Sequence, residues 1–473
     1  MIDRDEPRFA EASREMIERG DYVVPYFNNQ PRLDKPPLTY WAQTVSYRIF
    51  GENDFAARFP SAVAAALIAL SIFGWGQRIG GDKIGWWAAI IFTLSLQTFV
   101  HAKAAVADMW LALFVSSAHW GGLELLRYGL TNSDHRRPIA EYRISRWWFL
   151  FYISLALGFL AKGPIALVPL VTVGSTIFYA PNLQLGRRFK FVRGIALTLA
   201  IIAAWGIPAL IRTHGEFSRI GIGRHVIGRS LGAMEGHGWD SLGGYILLLP
   251  FYFVTIFVSF LPWSIKLPWL LKKLWRRRDN IDRYLFSGIA TIFIIFSLIK
   301  TKLPHYTLPA FGLLALLLAR HWPEKGASLF EAPPTGAESR RSFTRIAIAT
   351  ACVWLAIALV VPPMVARFFP AYQLFRETRA SLQSDMQFAS VEFDEPSLVW
   401  YFRARVKAFL TPLNKRRASE FMDQPGPRFI VLPMPVAGTI FTNPTQTWEF
   451  FTTSGFNGTK GQRIDLTLVL KSE

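Results

Sequence analysis

Asp108, Lys162 and the segment Lys300-Thr301-Lys302-Leu303-Pro304-His305-Tyr306 stand where long apolar stretches begin, end or break. Ionisable side chains at bilayer depth are costly, so they usually pair with one another or serve function. Four more, Asp5, Glu6, Asp34 and Lys35, precede the first apolar stretch. Carboxylates and lysines in one place offer two kinds of chemistry. A carboxylate can take a proton from a nucleophile or orient it. A cation can meet negative charge as it develops on a leaving group. Each residue also has a plainer role. A Lys or Asp at the edge of a span commonly snorkels or caps. Asp5 and Glu6 precede Pro7 and suit a helix N-terminus, and Lys35-Pro36-Pro37 suits a rigid entry into a helix. Singly they decide nothing; their sidedness joins them.

That sidedness comes from the elements around them. Half of the 473 residues (51%) are hydrophobic and only 18% are charged, below the roughly 25% of a soluble domain. Ten runs approach the ~20 residues that span a bilayer: Phe59–Gly76, Ile84–Val100, Val106–Leu126, Trp147–Ala161, Ile165–Ala180, Gly194–Ile211, Tyr245–Trp263, Tyr284–Ile299, His305–Leu318 and Ile346–Val361. In alternate connections, 78–83, 127–146, 187–193, 266–283 and 320–345 carry 23 Lys and Arg, against eight in 101–105, 162–164, 212–243 and 300–303. The positive-inside rule puts the first set in the cytoplasm. Residues 1–58, the second set and the tail beyond Val361 then face outward, and with them every charged residue singled out above.

The same partition disposes of a nucleic-acid reading of the net charge of +19, because the basic residues lie in short clusters between apolar runs rather than on one face. A single cysteine, Cys352, excludes disulfides within the chain and cysteine-based metal sites.

Three regions follow: an outward segment 1–58, a helical bundle 59–362 of about ten spans, and a C-terminal region 363–473. In the first, Phe9, Ala12, Met16 and Ile17 share one face of a helix ending near Gly20, and Leu38, Trp41, Ala42, Val45 and Ile49 share one face of a second ending at Gly51. Both are amphipathic and are expected along the membrane interface, with an irregular proline-rich loop over 21–37. In the last region, Phe388–Phe393, Leu398–Phe402, Phe429–Leu432 and Leu466–Leu470 are short and β-prone between Pro, Gly and Asn, which predicts a small extracytoplasmic α/β domain.

An ordered series of motifs runs through most of the chain: Asp5-Glu6-Pro7-Arg8-Phe9-Ala10-Glu11, Arg14-Glu15-Met16, Gly20-Asp21-Tyr22-Val23-Val24-Pro25, and Asp34-Lys35-Pro36-Pro37-Leu38 followed by Tyr40-Trp41. Later come Ala107-Asp108 opening a span, Ala161-Lys162-Gly163, Phe260-Leu261-Pro262-Trp263 and Lys302-Leu303-Pro304-His305-Tyr306. This series resembles the bacterial aminoarabinose–lipid A transferases, which stand with the protein O-mannosyltransferases among membrane glycosyltransferases of GT-C architecture.

The resemblance implies transfer of a sugar from a polyprenyl-phosphate carrier to a lipid or protein acceptor, on the outer face of a multi-pass protein of the inner membrane. It implies catalytic roles for Asp5 and Asp108, and substrate contacts for Glu6, Lys35, Lys162, Arg229, Lys302, His305 and Tyr306. It implies no certain cofactor and leaves open a divalent ion held by Asp34 and His225. Relatives often carry Glu where this chain has Asp34, and the shorter arm bears on that ion. Relatives also have a transmembrane helix ahead of the first acidic loop, so about twenty apolar residues are expected upstream of Asp5 in the gene.

Two other function classes compete. A transporter or flippase should show internal repeats and broken helices at the midplane; no repeat is evident, and the unusual polar residues collect at one face. A non-catalytic scaffold leaves the acid–base series unexplained.

Overall fold

The computed structural model describes residues 5–131, 144–228, 232, 241–276, 278–322, 336–441, 448–458 and 461–472. The chain is mainly helical and forms two compact units. One takes residues 1–32, 40–57 and 355–473, the other 33–39 and 58–354.

In the second unit the apolar runs are helices. Asp108–Thr131 rises over 24 residues, about 36 Å at 1.5 Å per residue, enough to cross a hydrocarbon core of ~30 Å. Arg146–Lys162 runs back beside it. Glycines let the two backbones meet: a Cβ on Gly121 would stand 2.9 Å from the Trp147 carbonyl oxygen, and one on Gly158 would stand 3.3 Å from Phe114 Cβ. Small residues serve this purpose where lipid removes the hydrophobic drive between helices.

Among the described residues, four helices are long and apolar enough to cross a membrane by length and composition: Asp54–Gly80, Leu185–Arg212, Asn280–Leu298 and Arg340–Ala366. Several other apolar runs are helical but divided. Ile165–Ala180 becomes a 3-10 turn Pro164–Leu167, a helix Val168–Gly174 and a second 3-10 turn Ser175–Phe178. Tyr245–Trp263 breaks at Pro250 into Leu242–Leu247 and Phe251–Ser259. His305–Leu318 is 3-10 over Pro304–Ala310 before Phe311–His321 begins. Proline lacks the N–H that would continue the ladder and crowds the preceding turn, so a hydropathy window reads composition but not continuity. The Phe260-Leu261-Pro262-Trp263 motif belongs to the core: Phe260 and Trp263 are buried, and Phe260 meets Phe311 edge-on at 5.1 Å.

The two ends of this bundle differ in chemistry. Near the C-terminal end of Asp108–Thr131, Arg78 pairs with Glu124 at 2.6 Å and Arg127 donates to the Arg78 carbonyl. Arg320 reaches Asp282 at 3.0 Å and the Ile79 carbonyl at 2.9 Å. These residues come from, or adjoin, the connections that the charge count puts together on one side. Residues adjoining the alternate connections gather at the opposite end.

In the first unit, strands β1 (Tyr26–Phe27) and β2 (Gln30–Pro31) form a hairpin inside the expected irregular loop. Its turn residues Asn28 and Asn29 take φ of 51° and 62°, the left-handed values a two-residue hairpin demands and Asn tolerates. The C-terminal region holds β3 (Gln387–Val391), β4 (Thr411–Leu413), β5 (Arg428–Pro433), β6 (Trp448–Asn457) and β7 (Gln462–Lys471), in sheet order β4-β3-β5-β7-β6. β3 is parallel to β4 and β5, while β7 is antiparallel to β5 and β6. Alternate residues feed two cores: Phe388, Phe429 and Leu468 on one face, Ala389, Ile430 and Val469 on the other. Leu398–Phe402, expected to be β-prone, is instead part of the helix Pro396–Phe402. Its aromatic and β-branched residues pack on the sheet, Phe402 lying 5.2 Å from Phe429, so burial overrides strand propensity.

The helix Asp5–Arg19 ends at Gly20 (φ 63°) as read from sequence, and its polar face is buried. Glu6, Glu11, Arg14 and Glu15 are all buried. The Arg14 guanidinium stacks 4.0 Å over Trp400 and bonds Glu11 at 2.6 Å, and Arg403 bonds Glu11 and Glu18. Charges buried in this way persist only as mutually satisfied sets. The second helix, Leu38–Phe50, keeps an apolar ridge outward, with Val45 and Ile49 exposed while Gln43, Thr44 and Ser46 are buried. That inverted pattern suits contact with lipid.

Candidate active site

Asp108 is the first residue of its helix and Lys162 the last of the helix beside it. Their antiparallel packing puts these two ends together across 54 residues of sequence. A carboxylate at an N-terminus and an ammonium at a C-terminus each complement the local dipole. Gly163, with φ of 84°, then releases the chain from the helix as few other residues can. The result is a Lys162 Nζ–Asp108 Oδ1 pair at 2.5 Å, with the two side chains only 17% and 10% exposed.

Two imidazoles flank this pair. His305 lies in the 3-10 helix Pro304–Ala310 with its Nε2 3.7 Å from Asp108 Oδ1. His101 ends the short helix Leu96–His101, its ring 5.0 Å from that of His305. Tyr306 meets His305 edge-on at 5.2 Å, and Lys162 Nζ stands 5.3 Å over the Tyr306 ring. Asp108, Lys162, His305 and Tyr306 were all legible in sequence as polar residues at span edges. His101 was missed. Its signal was an imidazole at a span end on the same side as Asp108.

The other expected site residues lie in different settings. Lys302 is buried, with Nζ donating to the Phe296 and Ser297 carbonyls at 3.0 and 2.6 Å, where the helix Asn280–Leu298 ends. Burial pushes its ammonium down to about 8. Lys35 pairs with Asp34 at 3.3 Å. Their loop lies against the π-helix Ser218–Gly228, since a Cβ on Gly221 would stand 3.0 Å from the Leu33 carbonyl oxygen. His225 is half-buried in that π-helix. Asp5 is exposed and Glu6 buried at the start of the helix Asp5–Arg19, in the other unit. Arg229 lies outside the described residues.

Residues 34–207 match the family described as dolichyl-phosphate-mannose-protein mannosyltransferase. An undecaprenyl phosphate-alpha-4-amino-4-deoxy-L-arabinose arabinosyl transferase 2 of Sodalis glossinidius (strain morsitans) is 31% identical over 330 residues, 67% of this chain and 55% of that protein. Over these spans the chain is similar to membrane glycosyltransferases that use lipid-phosphate-linked sugars. A second relative, the arabinosyl transferase of Aeromonas hydrophila, is 29% identical over 321 residues, again 67% of this chain and 55% of the relative. The chain thus matches about half the length of these curated relatives. The fold agrees with the crystal structure of ArnT from Cupriavidus metallidurans bound to undecaprenyl phosphate, with TM-score 0.73 at 18% identity over 99% of this chain and 94% of that one. The apo form of the same protein gives 0.69.

Proposed function

We propose that this protein transfers a sugar from a polyprenyl-phosphate carrier to an acceptor on the extracytoplasmic face of the inner membrane. An aminoarabinose-type pentose passing to lipid A is the leading donor and acceptor pair. The observation that carries the reading is the Asp108–Lys162 pair beside His305 and Tyr306, in a chain whose relatives are named for undecaprenyl-phosphate-linked sugar transfer. In such a reaction the bond from the anomeric carbon to the carrier phosphate breaks and a bond to the acceptor oxygen forms. The leaving phosphate carries away the electron pair, and cations placed to meet that charge lower the barrier.

Lys162 is suited to this task. Asp108 holds it in place, and Tyr306 lines its flank. Lys35 takes the same role from the resemblance, and Asp5 is the proposed acid at the acceptor. A hydroxyl acceptor would give its proton to that carboxylate. A phosphate acceptor is already ionised, and Asp5 then needs only to orient it. Membranes carrying the chain, supplied with undecaprenyl-phosphate-linked aminoarabinose and lipid A, should yield lipid A heavier by the pentose residue in mass spectrometry. Unmodified lipid A, with donor intact and the chain present in folded form, would overturn the donor and acceptor assignment.

A further inference from the structure

The cluster at the Asp108 end of the bundle holds a second kind of chemistry. His101, Asp108 and His305 each offer one ligand atom, and the three atoms lie within 4.8 Å of one another. Asp108 is buried and both imidazoles are half-buried. We propose that these three residues form a binding site for a divalent transition metal, Zn2+ by preference. Neither Asp34 nor His225 takes part in it.

The donor set selects the ion. Two imidazoles and one carboxylate suit Zn2+ and its first-row neighbours, whereas Mg2+ and Ca2+ favour all-oxygen shells. Zinc bonds of about 2.0–2.2 Å to nitrogen and oxygen place tetrahedral ligand atoms about 3.4 Å apart. The His305 Nε2–Asp108 Oδ1 separation of 3.7 Å is already close to this. All three ligand atoms lie within 4.8 Å of one another.

Three protein ligands leave a fourth position open to solvent or a substrate oxygen, as in catalytic rather than structural zinc sites. The surroundings supply the outer contacts such ligands use. Lys162 bonds Asp108 Oδ1 at 2.5 Å, and a carboxylate oxygen that accepts one hydrogen bond keeps a second lone pair for a cation. Gln97 lies 3.0 Å from His101 Nδ1. Its amide can accept from an Nδ1–H once the opposite nitrogen ligates, since the two ends of the amide exchange by a simple flip. The site adds dipositive charge beside Lys162. Where that charge would meet a donor phosphate, the consequence rests on the function proposed above; the binding itself does not.

The test uses the full chain, purified in detergent without a polyhistidine tag, stripped with a chelator and titrated with Zn2+ against a chromophoric zinc indicator. One equivalent should bind. His101→Ala and His305→Ala should each weaken it at least tenfold, while Asp34→Asn and His225→Ala leave it unchanged. Co2+ in place of Zn2+ should give a visible d–d band of nitrogen and oxygen ligation. Monodisperse elution and an unchanged melting temperature establish that the variants fold. Failure of the wild-type chain to bind, an unchanged affinity in both histidine variants, or a loss confined to Asp34→Asn and His225→Ala would overturn the assignment. None of these readouts depends on sugar transfer, so the site and the proposed activity fail independently.

Discussion

Lys162, half-buried at the end of one helix, and Lys302, buried just past the end of another, lie on one side of the bundle, but their ammonium groups have different partners. Lys162 faces a carboxylate, with imidazole and phenol around it. Lys302 faces two main-chain carbonyls, and with its ammonium lowered to about 8 it titrates in mildly alkaline solution. A neutral amine still has two N–H groups for two carbonyls, so capping survives loss of the charge. A phosphate clamp would not. We therefore expect Lys162→Ala and Lys35→Ala to slow transfer about ten- to a hundredfold, the equivalent of a charge-assisted hydrogen bond of roughly 1.5–3 kcal/mol felt in the transition state. Lys302→Met should lower the melting temperature and leave the KM for the lipid-linked donor unchanged. Normal turnover in both Lys162→Ala and Lys35→Ala, or a raised donor KM in Lys302→Met, would reverse the two assignments.

Among the elements, the helix Asp5–Arg19 departs furthest from its sequence reading. Its apolar stripe predicted an amphipathic helix with a solvated polar face, and the structure buries that face: Glu11 and Glu15 lie inside a set of charges completed by Arg14 and Arg403. Burial, with Glu11 beside it, raises the Glu15 carboxyl from 4.5 to about 7. The folded chain therefore keeps a proton between pH 4.5 and 7 that the unfolded chain releases. Stability from this group is full below the lower value, falls as pH rises through the window and levels off above it. Glu15→Gln retains an acceptor for the Asn29 N–H and removes the titration. Melting temperatures of the two proteins in detergent should diverge in favour of the variant as pH rises from about 5 to about 8. A difference independent of pH would mean that Glu15 is ionised in the fold.

At the scale of the whole molecule, the claim at stake is orientation. The structure brings His101, Asp108, Lys162 and His305 to one end of the second unit, and Arg78, Glu124, Asp282 and Arg320 to the other. The connections near these residues are the two sets that differ as 23 to eight in Lys and Arg. A reporter active only outside the cytoplasm should therefore work when fused after residue 162 or 470 and fail after residue 278. Activity after 278, with silence at the other two positions, would invert the protein and move the proposed site to the cytoplasmic face.

Membrane character, the alternation of loops and the polar residues at span edges were all legible in the chain. Each depends on composition within a window or on the charge of a short connection, and both are local properties. The ends of two amphipathic helices at Gly20 and Gly51 were legible for the same reason, because a left-handed glycine stops a helix locally. What no window could carry is which distant residues meet. His101 joins Asp108 and His305 only because a short helix ends and a 3-10 helix begins beside the N-terminus of a third element. Arg14 meets Trp400 across 386 residues, and that packing converts a half-polar helix into a buried one. It also makes a helix of Leu398–Phe402, whose residue types favour a strand. Propensity and hydropathy bias a segment by a few tenths to about 1 kcal/mol per residue, whereas burying one large side chain contributes about 1.5–3 kcal/mol. Where the two conflict, the tertiary contact decides.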